Sequence, residues 1–243
     1  MVQTGGVDGY RTDPPDGVPL RGAMVLVSEI WGLTGHIRSV ADRWAAEGWI
    51  VVAPDLLSDI GTTPEVGEEL MRIMQSDDEQ TKLENQPRLR HSFAATQAPG
   101  FAATALSRLT ATTDALADEP AVDGRVVTVG FCFGGGYAME LAAADRRIRA
   151  AVSFYGAPLP DERLHGLRSP VLAFYGDRDE RLMSGLPGFV EAADAARVEL
   201  TTKVYPGAAH AFFNDTGANY DAAAAEDAWV TANQFLDRVD PER

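Results

Sequence analysis

Six short apolar runs, spaced along the chain with helical patterns between them, constrain this sequence more than any other feature. They are Ala23–Ser28, Trp49–Pro54, Arg125–Gly130, Ala150–Gly156, Pro170–Gly176 and Leu200–Tyr205. Most are rich in β-branched residues and apolar at both odd and even positions. Strands with one face in water alternate; strands covered on both faces do not, so these runs predict strands of a parallel sheet buried on both sides. The segments His36–Gly48, Phe101–Asp118, Gly135–Arg147 and Ala222–Val239 repeat apolar residues at helical spacing. Alternating strands and helices imply right-handed crossovers and an α/β fold, a mostly parallel doubly wound sheet with helices on both faces. Met1–Arg21 reads as loop with room for a short edge hairpin. Residues 56–100 fit the rhythm poorly, holding a possible helix near Glu65–Met74, then polar residues and Pro87. We read residues 1–243 as one domain, with 56–100 as a lid-like insertion on the side where strands end.

The sharpest local signal is Gly130-Phe131-Cys132-Phe133-Gly134-Gly135, between the third run and a helix. A strand that turns abruptly into a helix forces the central residue into a strained conformation and needs small residues two before and two after it. This is a nucleophile elbow with cysteine at its centre. The helix N-terminus beside it favours negative charge, and so a thiolate. A cysteine nucleophile needs a base. His36 opens a helix, and His91 and His165 lie in polar connecting segments, where solvated roles are expected. His210 follows the last run through a short turn, at the strand-end edge where ligands bind in doubly wound sheets. The order nucleophile, acid, histidine then looks for the acid in Gly176-Asp177-Arg178-Asp179. The last position of that loop favours Asp179 over Asp177, which retains ordinary turn chemistry.

These residues resemble the dienelactone hydrolase (carboxymethylenebutenolidase) family of the α/β-hydrolase superfamily. The likeness runs from about Ala23 to the C-terminus and is dense at SEIWGL, EGWIVVAPDL, VVTVGFCFGGG, FYGDRDE and YPGAAHAFF. The resemblance implies Cys132 as nucleophile, His210 as base, Asp179 as its orienting acid and Glu29 as the glutamate that meets the resting thiol. It also implies an oxyanion hole from the backbone N–H groups of Phe133 and Ile30. The expected activity is opening of a lactone or cleavage of a small ester through a thioester, without cofactor or metal. A general carboxylesterase or thioesterase on the same triad is the alternative. One departure stands out: Asn214 occupies the place where the family holds a carboxylate-binding arginine, leaving Arg72, Arg88, Arg90 and Arg108 as other cations near the insertion. Tyr155 and Tyr175 end strands at the expected edge of the site and could line it, with core packing as the default reading, and Phe212 and Phe213 read as core or pocket wall.

Charge narrows the partners. Lys plus Arg is 21 against 36 acids, a formal net charge of −15, which argues against nucleic acid or an anionic membrane as partner. The expected partner is a small lactone or ester, and the expected assembly a monomer or small homo-oligomer. One cysteine precludes an intrachain disulfide, and the histidines are too scattered for a zinc site. With no signal-peptide pattern in the opening residues and no long apolar stretch, a cytoplasmic protein is expected. Two other classes fit the sequence less well. A non-catalytic ligand-binding relative would be expected to have lost its nucleophile or base, and all four residues are present. A nucleotide-binding protein needs a phosphate loop, and Gly32-Leu33-Thr34-Gly35 lacks the Lys-Ser/Thr ending.

Overall fold

A computed structural model describes residues 2–239, so Met1 and residues 240–243 of the span assigned to one domain lie outside it. All six apolar runs are strands. With an N-terminal hairpin, β1 (Val2–Thr4) and β2 (Val7–Thr12), they are β3 (Gly22–Val27), β4 (Trp49–Pro54), β5 (Val126–Phe131), β6 (Ile148–Phe154), β7 (Val171–Gly176) and β8 (Leu200–Tyr205). They form one sheet in the order β1-β2-β4-β3-β5-β6-β7-β8. The hairpin pairs antiparallel to β4, and the remaining six strands run parallel. The side chains of β3, β4, β5 and β7 are buried throughout, as their lack of alternation requires. β8 is the exception, half exposed because it is the sheet's last strand and has one free edge.

The helices are α1 (Gly35–Ala46), α2 (Pro64–Met74), α3 (Glu79–Ala95), α4 (Phe101–Ala117), α5 (Phe133–Ala144), α6 (Asp161–Leu164), α7 (Glu180–Ala195) and α8 (Ala222–Val239). Residues 56–100 thus hold two full helices, where sequence reading found one and a polar remainder. α3 carries Pro87 inside it and buries only Leu89 and Ser92, so it offers no apolar stripe to read. It starts where the Asp78 carboxylate accepts from the N–H groups of Gln80 and Thr81, at 3.1 and 3.3 Å, a side-chain cap. α2 and α3 pack through Leu70, Ile73 and Leu89, with Trp31 and Phe93 against them. That small cluster is separate from the main core on the sheet and stands over the end of β3, beside the residues described next.

Candidate active site

β5 ends at Phe131 and α5 begins at Phe133, so Cys132 alone makes the turn between strand and helix, at φ 54° and ψ −116°. Such a conformation is costly for a residue with a Cβ. Two further non-glycine residues with positive φ, Tyr155 (43°) and Ala211 (63°), lie at the same edge of the sheet. Close packing forces the glycines of the turn: a Cβ on Gly134 would collide with the carbonyl oxygens of Val27 and Ser28, and one on Gly130 with the Gly134 backbone. Gly134→Val is therefore expected to cost about 3 kcal/mol or more, a fall in Tm of about 6 °C or more. Thermal unfolding followed by circular dichroism checks this, and an unchanged Tm would contradict the packing argument.

The loop after β7 brings Asp179 and the loop after β8 brings His210 to that turn. His210 Nδ1 lies 2.5 Å from Asp179 Oδ2, and its Nε2 lies 3.1 Å from Cys132 Sγ. Asp179 also caps α7, accepting from the Leu182 N–H at 3.3 Å. Asp177 points elsewhere, to the Gly207 N–H at 2.7 Å. Burial alone would raise the Asp179 pKa, but the hydrogen bond and charge of His210 overcome it and hold the acid below its ordinary value. Burial pulls the His210 pKa down, and its bonds to Asp179 and Cys132 outweigh that and push it up to about 10. Folding therefore favours the protonated imidazole. That stabilisation is whole below the unfolded value of 6.5 and fades as pH climbs through about 10. We expect the Tm difference between wild type and His210→Gln to narrow from pH 6.5 to pH 10; a difference that grows over that range would contradict the assignment.

Glu29 lies at the end of β3 and is 2% exposed. The family picture sets this glutamate against the resting thiol; here the sulphur's hydrogen-bond partner is His210 and Glu29 turns to other groups. The Tyr155 hydroxyl donates to its Oε1 at 3.3 Å, and the Asn214 amide donates to its Oε2 at 2.7 Å. Asn214 Oδ1 accepts from the N–H and hydroxyl of Thr216, at 3.0 and 2.7 Å. These two bonds fix the amide's orientation, so its NH2 must face the carboxylate. Asn214 is thus part of the buried network around Glu29. Tyr155, whose default reading from sequence is core, stands at the site: its ring is edge-on to His210 at 5.1 Å. Burial first, then the nearby Glu29 and Cys132, raise its pKa well above the ordinary value, keeping the phenol a donor. No sequence pattern marks it, because a strand-end tyrosine reads as core until its neighbours are known.

The proposed oxyanion donors are placed as follows. Phe133 is the first residue of α5, where helix geometry leaves the N–H without an intrahelical acceptor. Ile30 follows Glu29 in a turn closed by the Gly32 N–H on the Glu29 carbonyl at 3.0 Å. Of the other histidines, His91 and His165 are exposed. His36 does start a helix, but it is buried and bonded to Asp215 at 2.9 Å, between the rings of Phe131 and Phe213. Phe212 and Phe213 are core. Arg88 makes a two-pronged pair with Glu69, and Arg108 bonds Asp59 and the Asp55 carbonyl. Arg90 bonds Gln86, and Arg72 bonds the Glu68 carbonyl at 3.3 Å. Among the described residues no group of three or more His, Cys, Asp or Glu side chains is arranged so that it could hold a metal ion, and no helix is long and apolar enough to cross a membrane.

A mostly parallel sheet of this order, with an acid, a histidine and a thiol meeting at a strained strand-to-helix turn, defines an α/β hydrolase. The sequence model of the dienelactone hydrolase family matches residues 7–239. The chain is 32% identical to a Saccharolobus solfataricus protein described as "Putative carboxymethylenebutenolidase", over 89% of both chains. A Synechocystis protein of the same description is 31% identical over 95% of this chain and 91% of its own. In three dimensions the fold is similar to a crystal structure described as "Putative Dienelactone Hydrolase" from Klebsiella pneumoniae. The TM-score is 0.75 at 25% identity, covering 95% of this chain and 98% of the other. The protein belongs to the dienelactone hydrolase family, a family of enzymes that hydrolyse esters and lactones.

Proposed function

We propose that this enzyme cleaves small esters or lactones with Cys132 as nucleophile, through a thioester. The observation that carries the reading is the unbroken chain of contacts Asp179–His210–Cys132, at 2.5 and 3.1 Å. With His210 protonated, its Nε2 lies against the sulphur at 3.1 Å, and the thiolate is the attacking form. The thiolate attacks the substrate carbonyl, and the oxyanion that forms is received by the N–H groups of Phe133 and Ile30. As the tetrahedral species collapses, the C–O bond breaks and the imidazolium gives its proton to the leaving oxygen. The neutral His210 then takes a proton from water, which attacks the thioester. Loss of the thiolate releases the carboxylic acid and restores the starting pair. Asp179 keeps the imidazole in the tautomer and orientation that both steps need. Glu29 is held by Tyr155, whose ring stands edge-on to His210, and by Asn214.

The acyl-enzyme is the direct test. Rapid acid quench of the enzyme with an activated ester, followed by intact mass and peptide mapping, is expected to show one acyl group, carried on Cys132. An acyl group mapped to a serine or to His210 itself would overturn the cysteine mechanism while leaving the hydrolase family assignment intact.

A further inference from the structure

The outward face of α5 lines a cavity of about 440 Å³ that none of the steps above employs. That volume is within the range of small-molecule sites. Phe133 and Tyr137 of α5, Ala103 and Leu106 of α4, and Pro158 and Leu159 beyond β6 make its walls. The walls come from segments that adjoin the reacting groups along the chain or pack against Phe133. Phe133 directly follows Cys132; Pro158 comes three residues after Tyr155; and α4 opens with Phe101, whose ring lies 6.0 Å from that of Phe133. From Phe133 the cavity follows α5 as far as Glu140, a helical rise of about 10 Å, roughly the length of an extended eight-carbon chain. The polar residues at that far end are already committed to each other, Arg163 Nε donating to Glu140 Oε2 at 2.8 Å. What remains is an apolar channel with no unmatched charge to recognise an ion.

We propose that this cavity receives the acyl group of the substrate and makes the enzyme selective for uncharged esters of medium-chain acids. The proposal rests on the hydrolase reading above, which also gives the direction. His210 hands its proton to the leaving oxygen, so the leaving group faces His210. The carbonyl oxygen points to the Phe133 N–H, and in this orientation the acyl substituent runs along α5 from Phe133, whose side chain lines the cavity. Each methylene moved from water into an apolar wall favours the bound transition state by up to about fourfold.

The experiment measures kcat/KM for p-nitrophenyl acetate, butyrate, hexanoate and octanoate with wild type, Ala102→Trp and Ala103→Trp. Both alanines are exposed at the cavity's rim, so a larger side chain there fills the space without entering the core. Wild type is expected to prefer hexanoate over acetate by about tenfold or more. Each tryptophan variant is expected to lose most of that preference while keeping acetate turnover within about twofold. Acetate turnover with no chain-length preference in wild type, or a preference that both variants retain, would overturn the cavity assignment and leave the hydrolase reading standing. Absence of Cys132-dependent turnover on every ester would instead overturn the hydrolase reading and the cavity assignment with it.

Discussion

Replacing Cys132 by alanine is expected to lower ester hydrolysis by a thousandfold or more while leaving the fold unchanged. Residues of a triad act as a unit, so removing the nucleophile forfeits nearly all the acceleration that the unit provides. Cys132 is half-buried at the head of α5 and at the end of a chain of contacts, not in the middle of the core. Loss of one sulphur there leaves the rings of Phe131, Phe154 and Phe213, which pack on one another at separations of 4.5 to 5.3 Å, in place. Relief of the strained φ at position 132 is not expected, since alanine also carries a Cβ. Tm should therefore stay within a few degrees of wild type while kcat/KM collapses. Residual activity above about a hundredth of wild type would mean that another group attacks the carbonyl. Cys132→Ser is the informative companion: it keeps the geometry but replaces a readily ionised thiol by a hydroxyl that needs His210 as a base from the start.

The parts of this molecule legible in the sequence are those where one local requirement selects residue types. Strands buried on both faces admit few polar residues, which makes five of the six runs legible; β8, half exposed at the end of the sheet, is legible through its β-branched residues instead. The elbow was visible because a sharp turn against Val27 and Ser28 admits only glycine at 134. Its place in the loop distinguishes Asp179 from Asp177, and of the two it is Asp179 whose carboxylate lies against His210. What was hidden depends on contacts between distant segments. α3 has caps but no apolar stripe, and its packing on α2 uses Leu89 alone from its buried apolar residues. The environment of Glu29 comes from Tyr155 and Asn214, 126 and 185 residues away. Neither the tyrosine nor the asparagine has a spacing that announces the contact. His36 reads as an ordinary helix start, because its burial depends on Asp215 and Phe213 from the far end of the chain.

The Glu29–Asn214 contact bears directly on which substrates the site accepts. A carboxylate-bearing substrate placed near residue 214 would meet an amide already committed to Glu29, with the Glu29 carboxylate behind it. An arginine there would give a charge-assisted hydrogen bond worth roughly 1.5–3 kcal/mol, or about ten- to a hundredfold in relative rate. Here that contact is missing, and a second negative group nearby opposes the anion further. The chain's formal net charge of −15 adds a long-range penalty on approach, one that salt screens while the local effect persists. For a matched pair of lactones or esters differing only in one carboxylate, the neutral compound is therefore expected to have the higher kcat/KM, by about tenfold to a hundredfold at low salt. The gap should narrow but survive at physiological ionic strength. Asn214→Arg is expected to shift the ratio towards the anion, because the new guanidinium both supplies a cation and pairs with Glu29. A wild-type preference of tenfold or more for the anion would contradict this account. It would point to Arg72, which with His36 and Thr216 lines a separate cavity beside Met71, as the group that holds the substrate's charge.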